Sequence, residues 1–453
     1  MNPPPPAISR ISRLFPAAFG ALLGLALVKF GNPVILGALL ESPQGPWEWA
    51  FFPWPVGLAY PLLLGVAMLG AGAAKAQGFR LEAQGFRKLA FWLPLVWLGW
   101  QWLAATGTVD AKLTRWALAQ FTAAALCFYL GYASLGGARN LAGFWLVLLA
   151  GFAVVLGSGL EQHFGGLAES REHFLLYVQP QMKEVPPELM KRMTSGRIFG
   201  TLFYPNTLAT VILLMLPGSL GFLWSLKAWL TAGARMFLMA ALALAALACL
   251  VWSGSKGGWL VMLLVGLMAL LHVRFARRWK LTLVGLVLAA GLVGFFWRYA
   301  AFFEKGATSV GARFDYWRAA AQTVSNHPWL GSGPGTFGVV YQRIKRPDAE
   351  MARMAHNDYL QQGSDSGIPG LLAYGGFMLL ALVGAYPRGT GAPDWPRLAV
   401  WLGVLGWAAQ SLFEFGLYIP ATAWLAFALL GWLLAGAANH IDKPRRNASL
   451  PPG

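Results

Sequence analysis

Twelve apolar runs with few charges dominate this chain, near 15–38, 52–74, 89–106, 116–135, 141–159, 203–224, 236–252, 257–273, 281–297, 368–386, 398–413 and 417–437. A bilayer core takes about 20 apolar residues per helix. In lipid the backbone must close its hydrogen bonds internally, so such runs predict transmembrane helices. Composition agrees: 12% of the 453 residues are charged, against about 25% in soluble domains, which is too little polar surface to cover the chain in water. The fold class expected is an all-α membrane protein of about twelve helices over 15–440, with 1–14 and 441–453 as disordered cytoplasmic tails. Lys29 interrupts the first run, and a mid-bilayer charge costs about 3 kcal/mol. It is expected near an interface or facing protein. The first run is long, lacks a small-x-small cleavage site and is followed by eleven others, so it is read as a retained helix rather than a signal peptide.

The net charge of +17 raises nucleic acid as a partner, and the placing of the charges excludes it. Even-numbered connections and both tails hold 18 basic residues, among them Arg10, Arg13, Lys75, Arg87, Arg139, Arg277 and Arg388, against Glu82, Asp394 and Asp442. The opposite side is nearly neutral. Lys and Arg mark cytoplasmic loops, so both termini are expected there. The excess charge then reports orientation and not a polyanion. Cys127 and Cys249 fall inside spans, which suits packing better than a disulfide framework. A tandem copy of Ala-Gln-Gly-Phe-Arg at 76–80 and 83–87 fits an interfacial hairpin held by its arginines.

Two external segments, 160–202 and 298–367, exceed simple turns. The second is rich in aromatics, and 312–325 reads as a short helix with Phe314, Trp317, Ala321 and Val324 on one face. His327-Pro-Trp-Leu-Gly-Ser-Gly-Pro-Gly335 stops it. Around these segments lie Arg197, Lys256, Arg313, Arg318, His356, Asp358, Asp365 and Glu414. Cations at loop–helix junctions suit an anionic ligand at headgroup level, although snorkelling explains any one of them alone. His356 is a candidate general base or a polar surface residue. Glu414 can orient a ligand, pair with a cation, or be a plain interfacial carboxylate. No metal-ligand set and no nucleotide-binding glycine loop is present in the sequence, so no metal or other cofactor is expected.

Five motifs occur in order: Arg197-Ile-Phe-Gly with Pro205-Asn206, Ser253-Gly-Ser-Lys-Gly-Gly258, Arg313-Phe-Asp-Tyr-Trp317, Pro328-Trp-Leu-Gly-Ser-Gly-Pro-Gly335, and His356-Asn-Asp-Tyr-Leu with Gly367-Ile-Pro-Gly370. Over 195–440 the chain resembles the O-antigen ligase and O-antigen polymerase superfamily, polytopic enzymes of lipid-linked glycans in the bacterial inner membrane. The resemblance implies a twelve-helix, lipid-dependent glycosyltransferase-like body with a large periplasmic loop carrying short helices, and an inverting, metal-independent reaction. His356 and Arg313 match its catalytic histidine and loop arginine. Members commonly carry Ser-Arg-Gly where this chain has Ser255-Lys256-Gly257. Lysine keeps the charge and loses the bidentate fork, so Arg197 shares or takes the second arginine's role.

The expected donor is an undecaprenyl-pyrophosphate-linked glycan, with membrane lipids around its tail. The acceptor is lipid A-core in a ligase, a second lipid-linked repeat in a polymerase, or a secreted protein in an O-oligosaccharyltransferase. Arg197, Lys256, Asn206, Arg318, Asn357, Asp358 and Glu414 are the residues expected to bind pyrophosphate or acceptor. A transporter or flippase is the rival from another class, since twelve spans suit one. Charges gathered at one face rather than at the midplane speak against it.

Overall fold

All twelve apolar runs lie on helices in the computed structural model, which describes residues 10–39, 42–79, 86–181, 190, 194–304, 308–387 and 394–439. No strand occurs among the described residues. Nine helices among them are long and apolar enough to cross a membrane, and Lys256–His272 and Pro420–Gly436 are shorter apolar helices. The remaining run is the 16-residue helix Trp395–Gln410. Residues 1–9 and 441–453 of the expected tails, and most of the second Ala-Gln-Gly-Phe-Arg copy, lie outside the described residues, whereas residues 10–14, expected in the tail, open the first helix. The first helix, Arg10–Lys29, ends well before residue 38. Lys29 is buried and faces protein. Its ammonium group donates to the Ala50 and Phe52 carbonyls at 2.5 and 3.1 Å, which partners two of its three donors within the protein.

The post at the centre is Pro420–Asn439, whose residues 421–434 are buried almost without interruption. It packs against Arg10–Lys29, Ala111–Leu130, Pro205–Ser225, Asp358–Ala385 and Trp395–Gln410. Without a hydrophobic force between helices in lipid, close approach supplies the attraction. Gly431 and Gly131 allow it here: a Cβ at Gly431 would fall on the Phe128 carbonyl, and one at Gly131 on that of Ala428. A buried amide links the post to its neighbours, Trp424 Nε1 donating to Gln120 Oε1 at 3.0 Å and Gln120 Nε2 to the Leu417 carbonyl at 3.0 Å. By contrast, Arg277–Glu304 buries only Phe295 and Tyr299. One of its faces packs against Lys256–His272, and much of the rest is exposed.

Above this bundle the 298–367 segment carries Thr308–Asn326 and Phe337–Ile344, the short helices expected. The buried face of the first differs from expectation. Tyr316, Ala319, Ala320 and Thr323 are buried, while Phe314 is exposed. Ala319 and Ala320 lie on the face of this helix that packs against Asp358–Ala385, with Trp317 partly buried beside them.

The 328–335 turn locks into a break in Asp358–Ala385. That helix is non-helical at Ser366 and Gly367, which frees backbone groups. Ser332 and Gly333 amides donate to the Ser364 and Asp365 carbonyls at 3.0 and 2.9 Å, and the Ile368 amide donates to Pro328 at 2.8 Å. Fully buried Asp365 accepts from the Gly335 amide (2.8 Å), the Phe337 amide (3.1 Å) and the Tyr418 hydroxyl (2.7 Å). Gly367 has φ +72°, and a Cβ there would meet the Trp329 carbonyl and lie 2.6 Å from that of Pro328. Gly375, on the same helix, has nothing within 4 Å. Gly367→Ala is therefore expected to destabilise the protein by about 2 kcal/mol or more, and Gly375→Ala to leave it unchanged within about 0.5 kcal/mol. Melting temperatures of the detergent-solubilised variants check this.

Candidate active site

Glu414 lies in the connection between Trp395–Gln410 and Pro420–Asn439. That turn is held from beneath: the Asp358 amide donates to the Ser411 carbonyl at 2.8 Å, and the Leu417 amide to Asp358 Oδ2 at 3.0 Å. On its outer side the Glu414 carboxylate gathers three elements. Oε1 accepts from Arg313 Nη2 at 2.7 Å and from Asn206 Nδ2 at 2.5 Å. Oε2 faces His356 Nδ1 at 3.3 Å. The Glu414 side chain is 7% exposed, against 21% for Arg313 and 28% for His356. The pair thus opens to the surface from a dry base. Burial by itself pushes the Glu414 carboxyl up, but His356 and Arg313 outweigh it and hold it below its ordinary value of 4.5.

His356 has φ +50° and is the one non-glycine residue with positive φ among the described residues. Left-handed backbone costs an L-residue about 1–2 kcal/mol and persists only where the surroundings fix it. Asn357, next in sequence, caps Asp358–Ala385 by accepting from the Leu360 amide at 2.9 Å. The imidazole is stacked beside Tyr316 (5.7 Å between ring centroids) and edge-on to Phe415 (4.8 Å). A carboxylate at Nδ1 places the proton there and leaves the Nε2 lone pair free to accept another.

A second cation reaches the same carboxylate indirectly. Arg197 Nη2 donates to Asn206 Oδ1 at 2.8 Å, and its Nε to the Ser253 carbonyl at 2.7 Å. Burial lowers the Arg197 pKa, with Glu414 opposing that shift. Asn206 therefore passes one hydrogen bond to Glu414 while receiving another from Arg197. Lys256 opens Lys256–His272, capped by Ser255, and its ammonium lies 4.0 Å from the Phe302 ring centroid and 5.0 Å from that of Tyr299. A cation on a helix N-terminus adds to the positive end of the dipole. The combination favours an anion.

The structure thus brings together His356, Arg313, Glu414, Asn206 and Arg197, with Lys256 beside them. Arg318 points elsewhere: it is largely exposed and pairs with Asp315 at 3.6 Å. Asn357 serves as a helix cap, and Asp358 is buried beneath the Glu414 turn. Of the rings beside His356, Tyr316 is legible in the sequence only as part of the Arg313-Phe-Asp-Tyr-Trp317 motif, and Phe415 is not among the candidates. Tyr316 sits three residues after Arg313 and Phe415 directly follows Glu414, so adjacency to candidate charges was the available signal.

Because the folded pKa of Glu414 is depressed, its contribution to stability is complete above its unfolded value and is lost as pH falls through the lower folded one. Thermal unfolding below pH 4.5 should therefore destabilise the wild type more steeply than Glu414→Gln. Parallel curves for the two would contradict that ionic role.

Residues 240–375 match the family model described as O-antigen ligase. The stretch contains Lys256, Arg313 and His356, whereas Arg197, Asn206 and Glu414 lie outside it. No curated protein matches the chain. Although it covers under a third of the chain, the match to 240–375 supports a place for this protein in the O-antigen ligase superfamily.

Proposed function

We propose that the protein is an inverting, metal-independent glycosyltransferase. In this reading it moves a glycan from undecaprenyl pyrophosphate to an acceptor hydroxyl of lipid A-core, at the periplasmic face of the inner membrane. The family match supports the coarser statement, a membrane glycan enzyme of ligase or polymerase type. The finer reading rests chiefly on one observation: Glu414 sits between His356 and Arg313 in a site open on one side. Twelve spans with both termini in the cytoplasm, suggested by the charge asymmetry, would put this site on the periplasmic side.

In the proposed reaction His356 Nε2 takes the proton of the acceptor hydroxyl as its oxygen attacks the anomeric carbon. The bond to the lipid pyrophosphate breaks on the opposite face, so configuration inverts. Negative charge builds on the departing pyrophosphate oxygen. Arg197, Lys256 and Arg313 provide preorganised positive charge for it in a poorly hydrated setting. Glu414 stabilises the imidazolium that forms and keeps the ring oriented. The lipid tail would lie against the outward-facing apolar helices.

His356→Ala and Arg313→Ala should each lower transfer by at least about 100-fold with expression and melting temperature retained. Full transfer by His356→Ala would remove the base assignment. Glu414→Gln gives a sharper result. Two donors, Arg313 and Asn206, face Oε1, so the glutamine oxygen must take that position and its NH2 group must face His356 Nδ1. That forces the imidazole proton onto Nε2, the wrong tautomer for a base. Transfer is expected to fall by about 100-fold or more, measured with radiolabelled lipid-linked glycan. Offering lipid A-core, a second lipid-linked repeat and a pilin-like protein separately identifies the acceptor. Labelling of lipid A-core supports the ligase, and labelling of either other acceptor replaces it.

A further inference from the structure

Tyr299 is a position where the fold and the chemistry disagree. Of the 28 residues of Arg277–Glu304, only Phe295 and Tyr299 are buried. The helix departs from helical geometry at Tyr299 itself (φ −113°, ψ 16°), at the outer end where its ring turns beneath Lys256. Phe295 meets it edge-on, with ring centroids 5.1 Å apart. A phenylalanine would fill this place equally well. Instead the chain buries a hydroxyl, the residue being 5% exposed, with no hydrogen-bond partner for the oxygen. A buried donor without an acceptor costs about 1–3 kcal/mol.

The neighbours indicate what is missing. Lys256 lies 5.0 Å from the Tyr299 ring centroid, Arg298 lies 5.6 Å from it, and Arg197 and Arg298 are the cations acting on its hydroxyl. All three are donors without acceptor capacity. A hydroxyl among such groups is left to donate, and the group that satisfies it while neutralising the cations is an oxyanion.

We infer that Tyr299 is a further substrate-contacting residue, donating its hydroxyl to a diphosphate oxygen of the lipid-linked donor held by Arg197, Lys256 and Arg298. The assignment deepens the transferase reading and rests on it. Arg298 enters the site through the same geometry, as an exposed cation at the lipid-facing rim. Because the hydrogen bond reaches diphosphate in both bound donor and transition state, its loss weakens binding without slowing the chemical step.

Tyr299→Phe tests this while keeping the ring under Lys256. Removing one hydrogen bond to a charged acceptor should raise the KM for the lipid-linked donor by about 10-fold, with kcat changed less than about twofold. Competitive inhibition of transfer by inorganic pyrophosphate should weaken by a similar factor. Unchanged KM and unchanged inhibition would overturn the assignment, as would a fall in kcat at constant KM. His356→Ala, assayed alongside, separates the two ideas. If it is inactive while Tyr299→Phe behaves as wild type, only the Tyr299 assignment fails, whereas an active His356→Ala removes the transferase mechanism beneath it.

Discussion

A dehydrated carboxylate must be matched by donors or lose its charge, and Glu414 is matched by elements far apart in the chain. Asn206 begins one membrane helix, Arg313 sits on the outer cap, and His356 precedes another long helix. Each is fixed relative to the others because each is bound to the same two oxygens. The site therefore cannot open at one element without loosening the rest. That coupling also gives Glu414 its chemical role, because the carboxylate that anchors Arg313 orients the imidazole.

The scaffold beneath supplies the rigidity this arrangement needs. The break at Ser366 and Gly367 would leave backbone groups unpaired inside the bundle. The 328–335 turn supplies the partners, and Asp365 closes the same junction with three further hydrogen bonds. One end of that helix carries His356, and the turn connects the two cap helices. Cap and histidine are thus positioned by a single buried junction. The buried carboxyl of Asp365 is held there by two amides and a phenol.

The helices were legible because lipid admits so few backbone solutions that apolar length alone identifies them. His356, Arg313, Arg197, Lys256 and Glu414 were legible because ionisable groups are scarce in so apolar a chain. Their pairing was not. Nothing local connects Glu414 to Asn206, 208 positions earlier, or shows that Arg197 acts through that asparagine. Arg318, Asn357 and Asp358 stand next to the candidate residues in sequence, yet the fold uses them for a surface ion pair, a cap and a buried tie. The buried face of the cap helix is not set by its bulkiest apolar residues: Tyr316, Ala319, Ala320 and Thr323 form it, while Phe314 is exposed. Tyr299 escaped notice because a tyrosine at the end of an apolar run resembles an ordinary interfacial aromatic until its hydroxyl is seen to lack a partner.

The central claim is a single displacement at the anomeric carbon, with His356 as base oriented by Glu414. The most direct test is the configuration of the transferred sugar, determined by NMR on product made by purified protein from a donor of known anomeric form. The account predicts complete inversion at that carbon. Retention of configuration would require a covalent or double-displacement route and would contradict it.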